Sequence, residues 1–159
     1  MAQPIIDAIC AGCVLKAGGY VGRKMGVRIL IADDDAAIRR LLRRLIEGHD
    51  NWSVCGDAQD GQEAVGKTDQ LDPDIIVLDL AMPQMNGFQA ARKISREHPG
   101  TPLLLLTVQQ VSRELTREAQ HAGFKGLVSK NTGSEVVRAI ESLLSRHEFF
   151  QPVSSDLCA

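Results

Sequence analysis

Short apolar runs alternate along this chain with stretches in which apolar residues recur every three or four positions. The runs are Val27–Ala32, Trp52–Gly56, Ile75–Leu80, Leu103–Thr107 and Gly126–Lys130. Most are rich in Ile, Val and Leu and end in polar or turn-forming residues, the signature of strands buried on both faces. Between them lie helical patterns. Ile38, Leu41, Leu42, Leu45 and Ile46 fall at i, i+3, i+4, i+7 and i+8, one apolar stripe. Asp35 is its expected N-cap and Gly48 its stop. Arg39, Arg40, Arg43 and Arg44 lie off the stripe as a basic outer face, open to solvent or to a docking partner.

The remaining helices carry their own punctuation. Asp60-Gly61-Gln62-Glu63 is a capping box before a short helix over Ala64 and Val65. Asn86 caps a helix through Phe88, Ala91 and Ile94 that ends before Pro99. Ser112 opens a polar helix to Ala122, closed by Gly123. Thr132-Gly133-Ser134-Glu135 is a further capping box, leading a helix with Val136, Val137, Ile140, Leu143 and Leu144 inward. Five strands alternating with five helices predict a doubly wound α/β domain, a five-stranded parallel sheet with helices on both faces.

Composition changes this picture little. A chain of 159 residues suffices for one domain with its own core. A net charge of −2 offers no footprint for nucleic acid, so no direct DNA contact is expected. No run reaches the roughly 18 apolar residues of a membrane span. The four cysteines do not form the pattern of a disulfide framework, and the cytoplasm is the expected compartment.

The chemistry lies at the strand ends. Asp33 and Asp34, Asp79, Thr107 and Lys130 each follow or close an apolar run that does not explain them. Singly, each has a plain role: helix-start charge, a loop cap, a strand-end turn, a surface cation. Strand ends of such a sheet converge on one edge, where ligands bind. Three carboxylates gathered there repel one another and favour a hard cation. Mg²⁺ suits one or two carboxylates while keeping waters and a phosphate oxygen. With Lys130 and the metal neutralising charge, Asp79 can attack a phosphoryl group and hold it as an acyl phosphate. Thr107 then offers its hydroxyl to a phosphoryl oxygen.

This set resembles the receiver domain of two-component response regulators over roughly Val27 to His147. The resemblance rests on Ile29 to Asp34, Pro73 to Pro83 with Asn86-Gly87, Pro102 to Thr107, and Lys130. It implies a flavodoxin-like sheet of strand order 2-1-3-4-5. It implies Asp79 as phosphoacceptor, Asp34 as a direct Mg²⁺ ligand, Asp33 as a ligand through water, and the backbone carbonyl of Ala81 completing the protein's share. Thr107 and Lys130 would contact the phosphoryl group. The donor would be the phosphohistidine of a histidine kinase or a phosphotransfer protein, and the output a change in partner binding or homodimerisation.

Two positions depart from the family pattern. Receivers usually carry Tyr or Phe three residues before the lysine, where this chain has Leu127; the residue after Thr107, usually small, is Val108. Leu127 favours a competing reading, a scaffold that binds partners without phosphorylation. Val108 is expected to narrow access to Asp79. A phosphohydrolase acting on external substrates would need an acid two residues past Asp79, where Ala81 stands. Residues 1–24, with Cys10 and Cys13, read as a poorly ordered extension, and Met25 as a natural start. Residues 25–147 form the domain and 148–159 a tail like the segment that leads, in one large subfamily, to a helix-turn-helix domain.

Overall fold

The computed structural model describes residues 26–153 and the backbone of two short segments before them. Those segments, β1 (Val14–Lys16) and β2 (Gly19–Val21), pair antiparallel within the stretch expected to be a poorly ordered extension. Cys10, Cys13 and Met25 lie outside the described residues.

The domain alternates strand and helix as the pattern predicts: β3 (Val27–Ala32), α1 (Ala36–Glu47), β4 (Trp52–Ala58), α2 (Gly61–Leu71), β5 (Ile75–Asp79), α3 (Gly87–Glu97), β6 (Leu103–Thr107), α4 (Arg113–Ala122), β7 (Gly126–Ser129) and α5 (Gly133–Leu144). A last strand, β8 (Phe149–Phe150), pairs parallel with β7. The sheet order is β4-β3-β5-β6-β7-β8, which is the expected 2-1-3-4-5 with a sixth strand added. That strand falls in the stretch expected to be a tail. Two phenylalanines on a two-residue strand are too few to show periodicity.

Every residue of β5 and β6 is buried, because helices cover both faces. One core joins α2, α3 and α4 to Leu30, Ile76, Leu78, Leu105 and Leu127. The other joins α1 and α5 to Ile29, Ile31, Val77, Leu104 and Val128. Alternate residues of each strand thus serve opposite cores, as a period of two requires.

Local expectations divide by whether tertiary contacts compete. Asp35, Asn86 and Ser112 cap their helices, each side chain accepting backbone N–H bonds, and Asn86 completes a capping box with Gln89. Asp60 accepts from the Glu63 N–H, but the Glu63 carboxylate reaches the N–H of Gln59 rather than that of Asp60. Thr132 forms no cap: its hydroxyl donates instead to the Ser129 carbonyl at the end of β7. The second helix is longer than expected, continuing to Leu71 on the burial of Thr68, whose hydroxyl donates to the Ala64 carbonyl. On α1, Leu42 and Ile46 are buried while Leu41 is 51% exposed, because a helix seated on a sheet buries a narrower stripe than its apolar residues span. On α5, Ala139 is buried beside Val136, Ile140 and Leu143, whereas Val137 is only partly covered.

The arginines of α1 also divide. Arg40 and Arg44 are exposed. Arg39 and Arg43 turn to β4 instead, where both pair with Asp57, at 2.9 and 3.3 Å. The guanidinium of Arg39 also donates to the carbonyl oxygens of Asp33, at 2.7 Å, and of Asp34. Lys67 of α2 bonds the Asp57 carbonyl and pairs with Glu63 at 2.6 Å. Half of the expected solvated face is therefore structural.

Candidate functional site

Asp33 follows β3, Asp79 closes β5, Thr107 closes β6 and Lys130 follows β7, all at the C-terminal edge of the sheet. Parallel register sets these ends level. Ala32 pairs with Leu78, Asp79 with Leu106, and Thr107 with Ser129. Asp33, Asp79 and Thr107 are 0, 4 and 1% exposed, whereas Asp34 is exposed.

Lys130 is the centre of the cluster. Its ammonium lies 2.5 Å from Asp33 Oδ2 and 3.0 Å from Asp79 Oδ1, and its backbone N–H donates to the Thr107 carbonyl at 2.8 Å. The second oxygen of Asp33 accepts the N–H of Asp35 at 2.9 Å, so both Asp33 oxygens are engaged within the protein. Asp33, Asp34 and Asp79 each offer a carboxylate oxygen within 4.8 Å of the others. Burial pushes the Asp79 carboxyl above its ordinary range, and the neighbouring charges of Asp33 and Asp34 push the same way against the bond from Lys130. Burial works against the Lys130 ammonium, but its bonds to Asp33 and Asp79 outweigh it and hold the amine more basic than usual.

The donor set fits a small divalent cation: three hard carboxylates, partly desolvated, carrying more negative charge than one lysine balances. Thr107 Oγ1 accepts the N–H of Gln109 at 3.0 Å, which leaves the hydroxyl able to donate. Ala81 lies exposed in the turn two residues past Asp79. That turn is closed tightly by Gly87, where a Cβ would stand 2.3 Å from the Asp79 carbonyl oxygen. Only glycine lets α3 start so close to the strand end.

The positions that depart from the receiver pattern look different in three dimensions. Leu127 is fully buried and pairs in register with Phe150 of β8, which packs on the same core. An aromatic ring therefore reaches this region from the adjacent strand. Val108 is 69% exposed and lines a cleft with Gln109, Val111, Thr132, Gln151 and Pro152. Sequence reasoning missed two contributors, Arg39 and Gln151. The side-chain carbonyl of Gln151 accepts the N–H of Ser129 at 2.8 Å, next to Lys130. The i, i+4 spacing of Arg39 and Arg43 was a usable signal for a shared acidic partner; nothing marked Gln151.

A second group of ligating side chains, Asp69, Glu97 and His98, lies at the C-terminal ends of α2 and α3. Its three residues are exposed or only partly covered. Among the described residues, no helix is long and apolar enough to cross a membrane.

Known proteins share these features. The chain is 36% identical over 126 residues to the transcriptional regulatory protein YdfI of Bacillus subtilis and 32% identical over 127 residues to the response regulator GacA of Pseudomonas viridiflava. Each match takes in 79% of this chain, which spans 58% and 59% of those two relatives. Among solved structures, a LuxR-family two-component response regulator from Aurantimonas sp. SI85-9A1 superposes with a TM-score of 0.76 at 33% identity, over 80% of this chain and 91% of the other. The response regulator domain of Thermotoga maritima CheB gives 0.67 at 27% identity, over 77% and 96%. A family model of the response regulator receiver domain matches residues 29–141. The chain belongs to the response regulator receiver family, the phosphoacceptor domains of two-component signal transduction.

Proposed function

We propose that Asp79 is the residue that takes up the phosphoryl group, from the phosphohistidine of a histidine kinase or a phosphotransfer protein. The Asp79 carboxylate attacks phosphorus, the bond from phosphorus to the donor imidazole breaks, and an acyl phosphate remains on Asp79. Asp34, Asp79 and the Ala81 carbonyl would hold Mg²⁺ directly, and Asp33 would do so through water. Bound there, the ion neutralises charge that develops on the phosphoryl oxygens. Asp33 suits the indirect role because Lys130 and the Asp35 N–H already occupy its oxygens. Asp34, exposed beside it, suits the direct one.

The protein's own residues supply charge and position. Lys130 compensates the phosphoryl oxygens, and the Thr107 hydroxyl donates to one of them once its strand end adjusts. The observation that carries this reading is the Lys130 ammonium bridging Asp33 and Asp79 with Asp34 alongside. Phosphorylation in turn alters which partner the domain binds, or its pairing with a second copy.

The test is intact mass after incubation with acetyl phosphate and Mg²⁺. An adduct of about 80 Da, absent without Mg²⁺ and absent in Asp79→Asn, is expected from acyl-phosphate chemistry. No adduct on protein that binds Mg²⁺ would favour the phosphorylation-independent scaffold instead.

A further inference from the structure

We propose that Phe149–Gln151 is a detachable edge strand whose hold on β7 is coupled to the modification of Asp79, an inference that rests on the phosphoacceptor reading above. Besides the ladder that pairs β7 with β8, three backbone groups of residues 125–129 are satisfied by this short segment. Lys125 O accepts from Phe149 N–H at 2.9 Å, Leu127 O accepts from Gln151 N–H at 3.0 Å, and Ser129 N–H donates to the Gln151 side chain at 2.8 Å. The next residue is Lys130, which bridges Asp33 and Asp79 and bonds the Thr107 carbonyl. The successive backbone N–H groups of Ser129 and Lys130 thus reach the segment on one side and the site's strand on the other.

The attachment is light. Phe149 packs beside the α1/α5 core and Phe150 beside the α2/α3/α4 core, and both are only partly buried. A two-residue ladder, two further backbone bonds, one side-chain bond and two partly exposed rings hold the segment, few enough contacts for it to open ahead of the core strands. A cleft of about 270 Å³, lined by Val108, Gln109, Val111, Thr132, Gln151 and Pro152, separates it from the loop after Thr107. The end of β7 therefore has room to shift.

Modification of Asp79 replaces the carboxylate that Lys130 now contacts with oxygens farther out and more highly charged. Lys130 must follow them, and the Ser129 N–H moves away from Gln151. Coupling of this kind is reciprocal, so loss of the Gln151 bond must favour the modified state by the same factor.

Amide hydrogen exchange measured by NMR on the full chain tests this, with beryllofluoride and Mg²⁺ as the phosphoryl mimic. A ¹⁹F signal from bound fluoride reports occupancy. With the mimic bound, the amides of Ser129, Phe149 and Gln151 should exchange at least about tenfold faster, while those of Leu30 and Val77 do not. Gln151→Ala should tighten mimic binding about fivefold. Bound mimic with unchanged exchange at Ser129, Phe149 and Gln151, or unchanged affinity in Gln151→Ala, would overturn the coupling. Absence of any bound fluoride would overturn the phosphoacceptor reading, and the coupling with it.

Discussion

The two halves of the sheet edge are built differently. The half formed by β3, β4 and β5 carries the acidic residues and is pinned: Arg39 ties the carbonyls of Asp33 and Asp34 to Asp57, and Arg43 and Lys67 secure Asp57 further. The half formed by β6, β7 and β8 carries Thr107 and Lys130 and ends in a two-residue strand held by few bonds. In the proposed reaction the carboxylates would share a small cation and would need fixed spacing. Lys130 and Thr107 would answer a new phosphoryl group in that reaction and would need freedom to move. The chain places each requirement on the half whose packing meets it.

Removing the cation tests the responsive half first. Lys130→Met should slow acetyl-phosphate labelling of Asp79 about 100-fold, the scale of losing one charge-stabilising group in such a reaction. Intact-mass time courses read the rate. A loss under about threefold would mean that the metal alone manages the charge.

The next test weighs the halves by stability. Arg39→Ala should cost about 2 kcal/mol in urea unfolding, because it leaves the carbonyls of Asp33 and Asp34 without a charged donor and the Asp57 carboxylate with Arg43 alone. Gln151→Ala should cost less than about 1 kcal/mol, the net worth of one hydrogen bond at an edge. Equal costs would erase the contrast between a pinned and a lightly held half.

The smallest expected effect concerns Asp79 itself. Its carboxyl is held above the ordinary range by burial and by Asp33 and Asp34. A folded-state pKa above the unfolded one means that ionisation opposes folding. The penalty is absent below the ordinary carboxylate pKa, near 4, and grows as pH rises through the folded value. Without Mg²⁺, Asp79→Asn should therefore raise Tm at pH 7, by less than either of the effects above. Thermal melts at pH 7 and below pH 4 check the sign, since the gain should vanish in acid.

Much of this was legible beforehand. The apolar runs Ile29–Ala32, Ile75–Leu78 and Leu103–Leu106 are unbroken, so their strands, their burial and the polar residues that close them were readable from the pattern. The caps at Asp35, Asn86 and Ser112 are local and were readable too. Thr132 failed as a cap because a tertiary partner, the Ser129 carbonyl, took its hydroxyl. The arginine face was half misjudged because periodicity reports which side a residue occupies, and Asp57 comes from another strand.

The amino-acid sequence by itself determined the alternation of elements, the two cores and the polar side chains at four strand ends. Each follows from period, burial or local capping within a few residues. Only the tertiary structure decided that Lys130 bridges Asp33 and Asp79, that Arg39 anchors the acidic loop, and that Phe150 lies beside Leu127. Those pairings join residues from 6 to 97 positions apart. Strand register and helix docking set such distances, and no short-range pattern encodes them.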